Sequence, residues 1–121
     1  MKKRKMYLID CHLAGRKYHD ADEVWDKLKI GTLLQLQAEP DNRYDPKAVM
    51  VIYRDEEQND DVLLGYIPRN CNFEISTMLE MGWADIFECR INNINPLVHP
   101  EEQIRLTIKV KRNSLSQINQ Q

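Results

Sequence analysis

At 121 residues, 42% of them hydrophobic and 30% charged, with a mean hydropathy of −0.61, the chain has the composition of a soluble globular protein and the length for one hydrophobic core rather than two. A net charge of −2 and a pI of about 5.9 exclude a protein held on DNA at arbitrary positions by its overall field. No uninterrupted apolar stretch approaches the roughly 20 residues of a membrane-spanning helix, so no membrane partner is expected.

Lys2, Lys3, Arg4 and Lys5 make residues 1–6 a basic tail. The apolar run that follows resembles the start of a signal peptide, but Asp10 and His12 interrupt it, so export is not expected and the cytoplasm is the expected location. Residues 6–13 favour a strand, and Gly15 loosens the backbone into a loop carrying Arg16, Lys17, Tyr18 and His19. Asp20 or Asp22 is placed to cap a short helix running to Leu28, with Ala21, Val24, Trp25 and Leu28 on one face and Gly31 as its stop. Residues 32–38 alternate, Leu34, Leu36 and Ala38 against Gln35 and Gln37, as a half-buried strand does.

Residues 39–46 combine two prolines with Asn42, Asp41 and Asp45 and must form a structured turn, after which residues 48–53 resume as an apolar strand. The acidic stretch from Arg54 to Asp61 reads as a solvated hairpin loop, too polar to pack, before a strand over residues 62–67. Pro68 ends that strand. From about Arg69 a second helix places Cys71, Ile75, Met78 and Leu79 on one side and closes at Gly82. Strands over residues 86–94 and 103–111 complete the set, the last alternating Ile104, Leu106, Ile108 and Val110 with Arg105, Thr107, Lys109 and Lys111. Residues 113–121 are polar and aperiodic and read as a flexible tail.

About six short strands and two short helices predict a mainly β (α+β) domain over residues 7–112, with closure into a small OB-like β-barrel favoured because it removes exposed edges. Cys11, Cys71 and Cys89 form no C-x-x-C pair, and an odd number argues against a disulfide framework; they read as reduced, buried thiols. Basic residues gather at the two ends of the chain and acidic ones at Asp55, Glu56, Glu57, Asp60 and Asp61, so any contact with nucleic acid must be local.

Three segments carry a family likeness: Gly15-Arg16-Lys17-Tyr18; the run from Leu36 to Val49; and Gly65-Tyr66-Ile67-Pro68-Arg69. The central element Glu39-Pro40-Asp41-Asn42-Arg43-Tyr44-Asp45-Pro46-Lys47-Ala48-Val49 is the most specific, because it fixes several uncommon residues in one turn that runs into an apolar strand. In order and spacing these segments resemble the HIRAN domain, a module of eukaryotic DNA helicases of replication-fork remodelling with an OB-like fold that grips single-stranded 3′ ends. The resemblance covers roughly residues 7–111 and implies a freestanding domain without catalytic machinery or cofactor. The partners it implies are single-stranded DNA 3′ ends and a separate helicase or nuclease subunit.

Holding a DNA terminus requires an acceptor for the 3′-hydroxyl, flat side chains for the last bases and cations for the last phosphates. On the resemblance, Asp45 would accept the hydroxyl proton and Asn42 would shape the turn and bond the terminal nucleotide. Tyr44 and Tyr18 would stack on bases, Lys17 and Arg69 would meet phosphates, and Tyr66 would complete the pocket wall. His19 reads either as an exposed loop histidine or as a further stacking or phosphate-binding group.

The plainer account is that Asn and Asp beside proline cap a turn and that tyrosines pack over a barrel end. Two rival functions follow. Glu39, Asp41 and Asp45 suggest a metal or acid–base site, but their spacing fits neither a calcium loop nor a zinc motif, and no nucleophile with its base or phosphate-binding glycine loop is present. The stronger rival is a protein–protein interaction module that keeps the fold without binding DNA.

Overall fold

The computed structural model describes residues 8–16 and 19–111. Six strands form: β1 Leu8–His12, β2 Leu33–Ala38, β3 Val49–Asp55, β4 Asp60–Tyr66, β5 Phe87–Ile94 and β6 Ile104–Val110. One α-helix, α1, spans Phe73–Glu80, and an irregular 3-10 segment covers Asp20–Lys27. This is the mainly β domain of six strands and two short helices that periodicity predicts. The basic and polar tails lie outside the described residues, as do Lys17 and Tyr18.

The strands form one antiparallel sheet in the order β1-β6-β5-β2-β3-β4. β6 shows why: Ile104, Leu106 and Ile108 are buried while Arg105 and Lys109 face solvent, the two-residue period of a strand with one wet face. Leu13, Val49, Val51, Leu64, Ile75 and Ile91 join them in the core. The 3-10 segment closes one side against β4, burying Ala21 and Val24, and α1 packs on β2 through Ile75 and Leu79.

Closure of the barrel is not completed. β1 and β4 remain the edges of the sheet and share no ladder; they are tied at one bridge, where Ala14 and Tyr66 exchange two backbone hydrogen bonds of 2.8 and 2.9 Å. Gly65 permits that approach, since a Cβ there would lie 2.4 Å from the Ala14 carbonyl oxygen.

Several local expectations are corrected. Neither Asp20 nor Asp22 caps the first helical segment, which begins after His19 without a side-chain cap; Asp22 instead accepts from Arg16. Met78 is turned outward rather than packed. The acidic stretch is not wholly a solvated loop. β3 and β4 run into it, the turn is confined to residues 56–59, and Asp55 is 3% exposed, paired with Lys27 Nζ at 2.8 Å. Lys27 lies 28 positions away, so its contribution is invisible in the local sequence. Cys11 and Cys89 are buried free thiols, whereas Cys71 is only half-buried.

Candidate nucleic-acid interface

The turn between β2 and β3 is held by its own polar side chains. Asn42 Oδ1 accepts the backbone N–H of Tyr44 at 2.8 Å and of Asp45 at 3.0 Å, while Asn42 Nδ2 donates to Glu39 Oε1 at 2.8 Å. This Asx-type arrangement satisfies backbone donors that a strand would otherwise pair. Asp45 Oδ1 accepts from the Lys47 N–H at 2.9 Å, and the chain re-enters β3. With the backbone fixed in this way, Tyr44 is left 76% exposed.

Asp45 links the turn to the segment after β4. Its Oδ2 accepts from Asn72 Nδ2 at 2.9 Å and lies 3.7 Å from Arg69 Nε. The Lys47 N–H above all, then Asn72 and the Arg69 charge, hold its carboxyl below the usual carboxylate range against the opposing effect of partial burial. Arg69 also donates through Nη2 to the Tyr44 carbonyl at 2.9 Å, so the corner after β4 is locked to the turn.

The opposite wall is the seam where the sheet edges meet. Tyr66 donates its hydroxyl to Glu39 Oε1 at 2.8 Å, and burial followed by that carboxylate pushes the phenol up to about 12, so it stays a donor at neutral pH. His19 is half-buried with its ring 5.4 Å from that of Tyr66 and tilted 57° to it, so it is a packed neighbour of the wall and not an exposed loop histidine. Gly15 donates its N–H to both oxygens of Glu101, at 3.0 and 3.1 Å, across 86 positions of sequence. The buried Arg16 guanidinium bonds Asp22 at 2.8 Å and lies 4.5 Å from the centre of a Trp25 ring. The backbone on both sides of residues 17 and 18 is thereby anchored.

Between these walls lies an open pocket of about 220 Å³ lined by Ala14, Gly15, Asn42, Tyr44, Asp45, Ala48, Tyr66, Ile67 and Arg69. Five of the seven side chains expected at a site, Asn42, Tyr44, Asp45, Tyr66 and Arg69, thus meet at one place; the other two, Lys17 and Tyr18, lie outside the described residues. Three further residues act on the pocket that pattern reasoning did not single out for it. Glu39 joins the turn to Tyr66, Asn72 anchors Asp45, and Glu101 holds the Gly15 loop. Glu39 is at least part of the signature turn, whereas nothing in the local sequence of Asn72 or Glu101 marks them. Among the described residues, no group of three or more His, Cys, Asp or Glu is arranged to hold a metal, and no helix is long and apolar enough to cross a membrane.

The sequence profile of the HIRAN domain matches residues 6–112. The chain belongs to the HIRAN domain family, a class of DNA-binding modules. It is 27% identical over 97 residues to a Fanconi-associated nuclease 1 homolog of Oryza sativa subsp. japonica, a match that covers 80% of this chain and 9% of that protein. Among solved structures, a Lactobacillus plantarum protein superposes with a TM-score of 0.65 at 21% identity, covering 89% of this chain and all of the other. The HIRAN domain of human HLTF superposes with a TM-score of 0.55 at 12% identity, covering 93% of this chain and 84% of that one. At these identities the likeness to the solved structures is one of fold.

Proposed function

We propose that this domain captures the 3′-hydroxyl end of single-stranded DNA, without catalysis of its own, and serves DNA repair or replication-fork processing by presenting that end to a separate helicase or nuclease. The observation that carries the proposal is the ionised Asp45 carboxylate in a pocket rimmed by the exposed Tyr44 ring and the Arg69 guanidinium. A carboxylate offers about four acceptor positions. The Lys47 and Asn72 hydrogen bonds occupy two, which leaves capacity for a hydroxyl donor.

A cavity of about 220 Å³ is smaller than the roughly 300–1,000 Å³ of typical small-molecule sites, which suits a terminal sugar and part of its base better than a whole cofactor. Tyr44 supplies a stacking face, and Arg69 a cation for the adjoining phosphate. The rice relative is named a nuclease, the sort of enzyme that a module reading strand ends would serve. Stacking at about 1–3 kcal/mol per base and a charged hydrogen bond at about 1.5–3 kcal/mol, after association costs, give roughly micromolar affinity.

The test is a fluorescence-anisotropy titration with one short single strand carrying either a 3′-hydroxyl or a 3′-phosphate. The hydroxyl strand binds more tightly, because a terminal phosphate brings negative charge against Asp45 and removes the donor. Equal affinities overturn the proposal. Tyr44→Ala, at an exposed position, weakens binding to either end by about fivefold or more while the circular dichroism spectrum is unchanged.

A further inference from the structure

Resting on the end-capture reading, we propose that Phe73 and Lys47 form a second nucleotide subsite beside the terminal pocket, which stacks the base immediately 5′ of the terminal nucleotide. Phe73 opens α1 and is 58% exposed, although the helix makes its core contacts through Ile75 and Leu79. A single exposed aromatic residue is ordinary. The setting of this one is not: the Lys47 ammonium lies 4.9 Å from the ring centre, donates to Thr77 Oγ1 at 3.4 Å and faces Glu80 Oε1 at 3.7 Å. Phe73, Thr77 and Glu80 follow one another at helical spacing, so Lys47 lies along one face of α1 with the ring at the end nearer Asn72.

Both members of the pair are tied to the carboxylate of the pocket. Asp45 Oδ1 holds the backbone N–H of Lys47, and Asp45 Oδ2 holds the side chain of Asn72, the residue before Phe73. Phe73 and Lys47 therefore stand on the segments that, with Arg69, hold Asp45, and on this proposal a strand whose last nucleotide sits at Asp45 meets the Phe73 face with its next base. The chemistry favours stacking over phosphate binding. Lys47 already neighbours Glu80, and the exposed Glu74 follows Phe73, so the local charge is mixed. Stacking on an aromatic ring tolerates any base, because every base has a π-face, so the subsite adds affinity without sequence preference.

The experiment compares wild type, Phe73→Ala and Phe73→Trp with a 3′-hydroxyl hexanucleotide, by anisotropy and by the fluorescence of 2-aminopurine at the second position from the 3′ end. Binding of thymidine 5′-monophosphate is followed in parallel by NMR titration. Phe73→Ala weakens the hexanucleotide about fivefold or more, abolishes the 2-aminopurine response and leaves the mononucleotide titration unchanged, and Phe73→Trp restores both hexanucleotide signals. Wild-type binding with an unaltered Phe73→Ala response overturns this subsite alone, as does equal weakening of hexanucleotide and mononucleotide. Failure of the wild type to bind any 3′-hydroxyl strand overturns the end-capture reading and this one with it.

Discussion

Asp45 holds the turn together as well as standing where the proposal places the strand end, and a sequence pattern cannot separate the two. From the sequence, Asp45→Ala is expected to remove end preference and leave the fold largely intact. The geometry adds a structural cost, because Asn72 is 3% exposed and its amide would lose its acceptor. A buried donor left unsatisfied costs about 1–3 kcal/mol, so Asp45→Ala lowers the urea midpoint by a corresponding amount, while Asp45→Asn, which keeps one acceptor, lowers it less. Both reduce the preference for a 3′-hydroxyl over a 3′-phosphate. The depressed carboxyl also fixes a pH dependence. Its contribution to stability is complete above the ordinary carboxyl value near 4 and is lost as pH falls through its lower folded value, so acid unfolding of wild type below about pH 4 exceeds that of Asp45→Asn.

At the scale of the elements, the site depends on the single bridge that joins the sheet edges. Gly65→Ala would drive a Cβ to 2.4 Å from the Ala14 carbonyl, a backbone atom that cannot yield without breaking the bridge, and to about 3 Å from Leu13. Overpacking of this kind costs about 1–3 kcal/mol. It also moves the wall carrying Ala14, Gly15 and Tyr66, so thermal unfolding shifts downward and affinity for the 3′-hydroxyl strand falls together with it. The turn over residues 39–48 was legible beforehand because its hydrogen bonds run between residues two or three positions apart, which is the range that Asn, Asp and Pro patterns describe. The seam was not. Alternating hydrophobicity identifies β1 and β4 as strands but does not say that both end as edges meeting at one residue pair.

For the molecule as a whole, a net charge of −2 leaves specificity to local contacts. If Lys17 and Arg69 each neutralise one phosphate, a single-strand slope of about −0.7 per contact gives roughly a sevenfold loss of affinity between 50 and 200 mM salt. A loss of a hundredfold or more in the same titration would show a broader electrostatic footprint than the pocket provides. The strands, the two helical segments, the signature turn and the residue types gathered around it can be read from the chain alone, because they follow from side-chain period and short-range hydrogen bonding. It took the folded chain to show that the barrel stops short of closure, that Asp55 is buried against Lys27, that His19 packs at a tilt against Tyr66, and that Asn72 and Glu101 brace the pocket across 27 and 86 positions. Those contacts join segments whose nearness depends on how the sheet is ordered and curved, and no local pattern encodes which distant partner a polar side chain will meet.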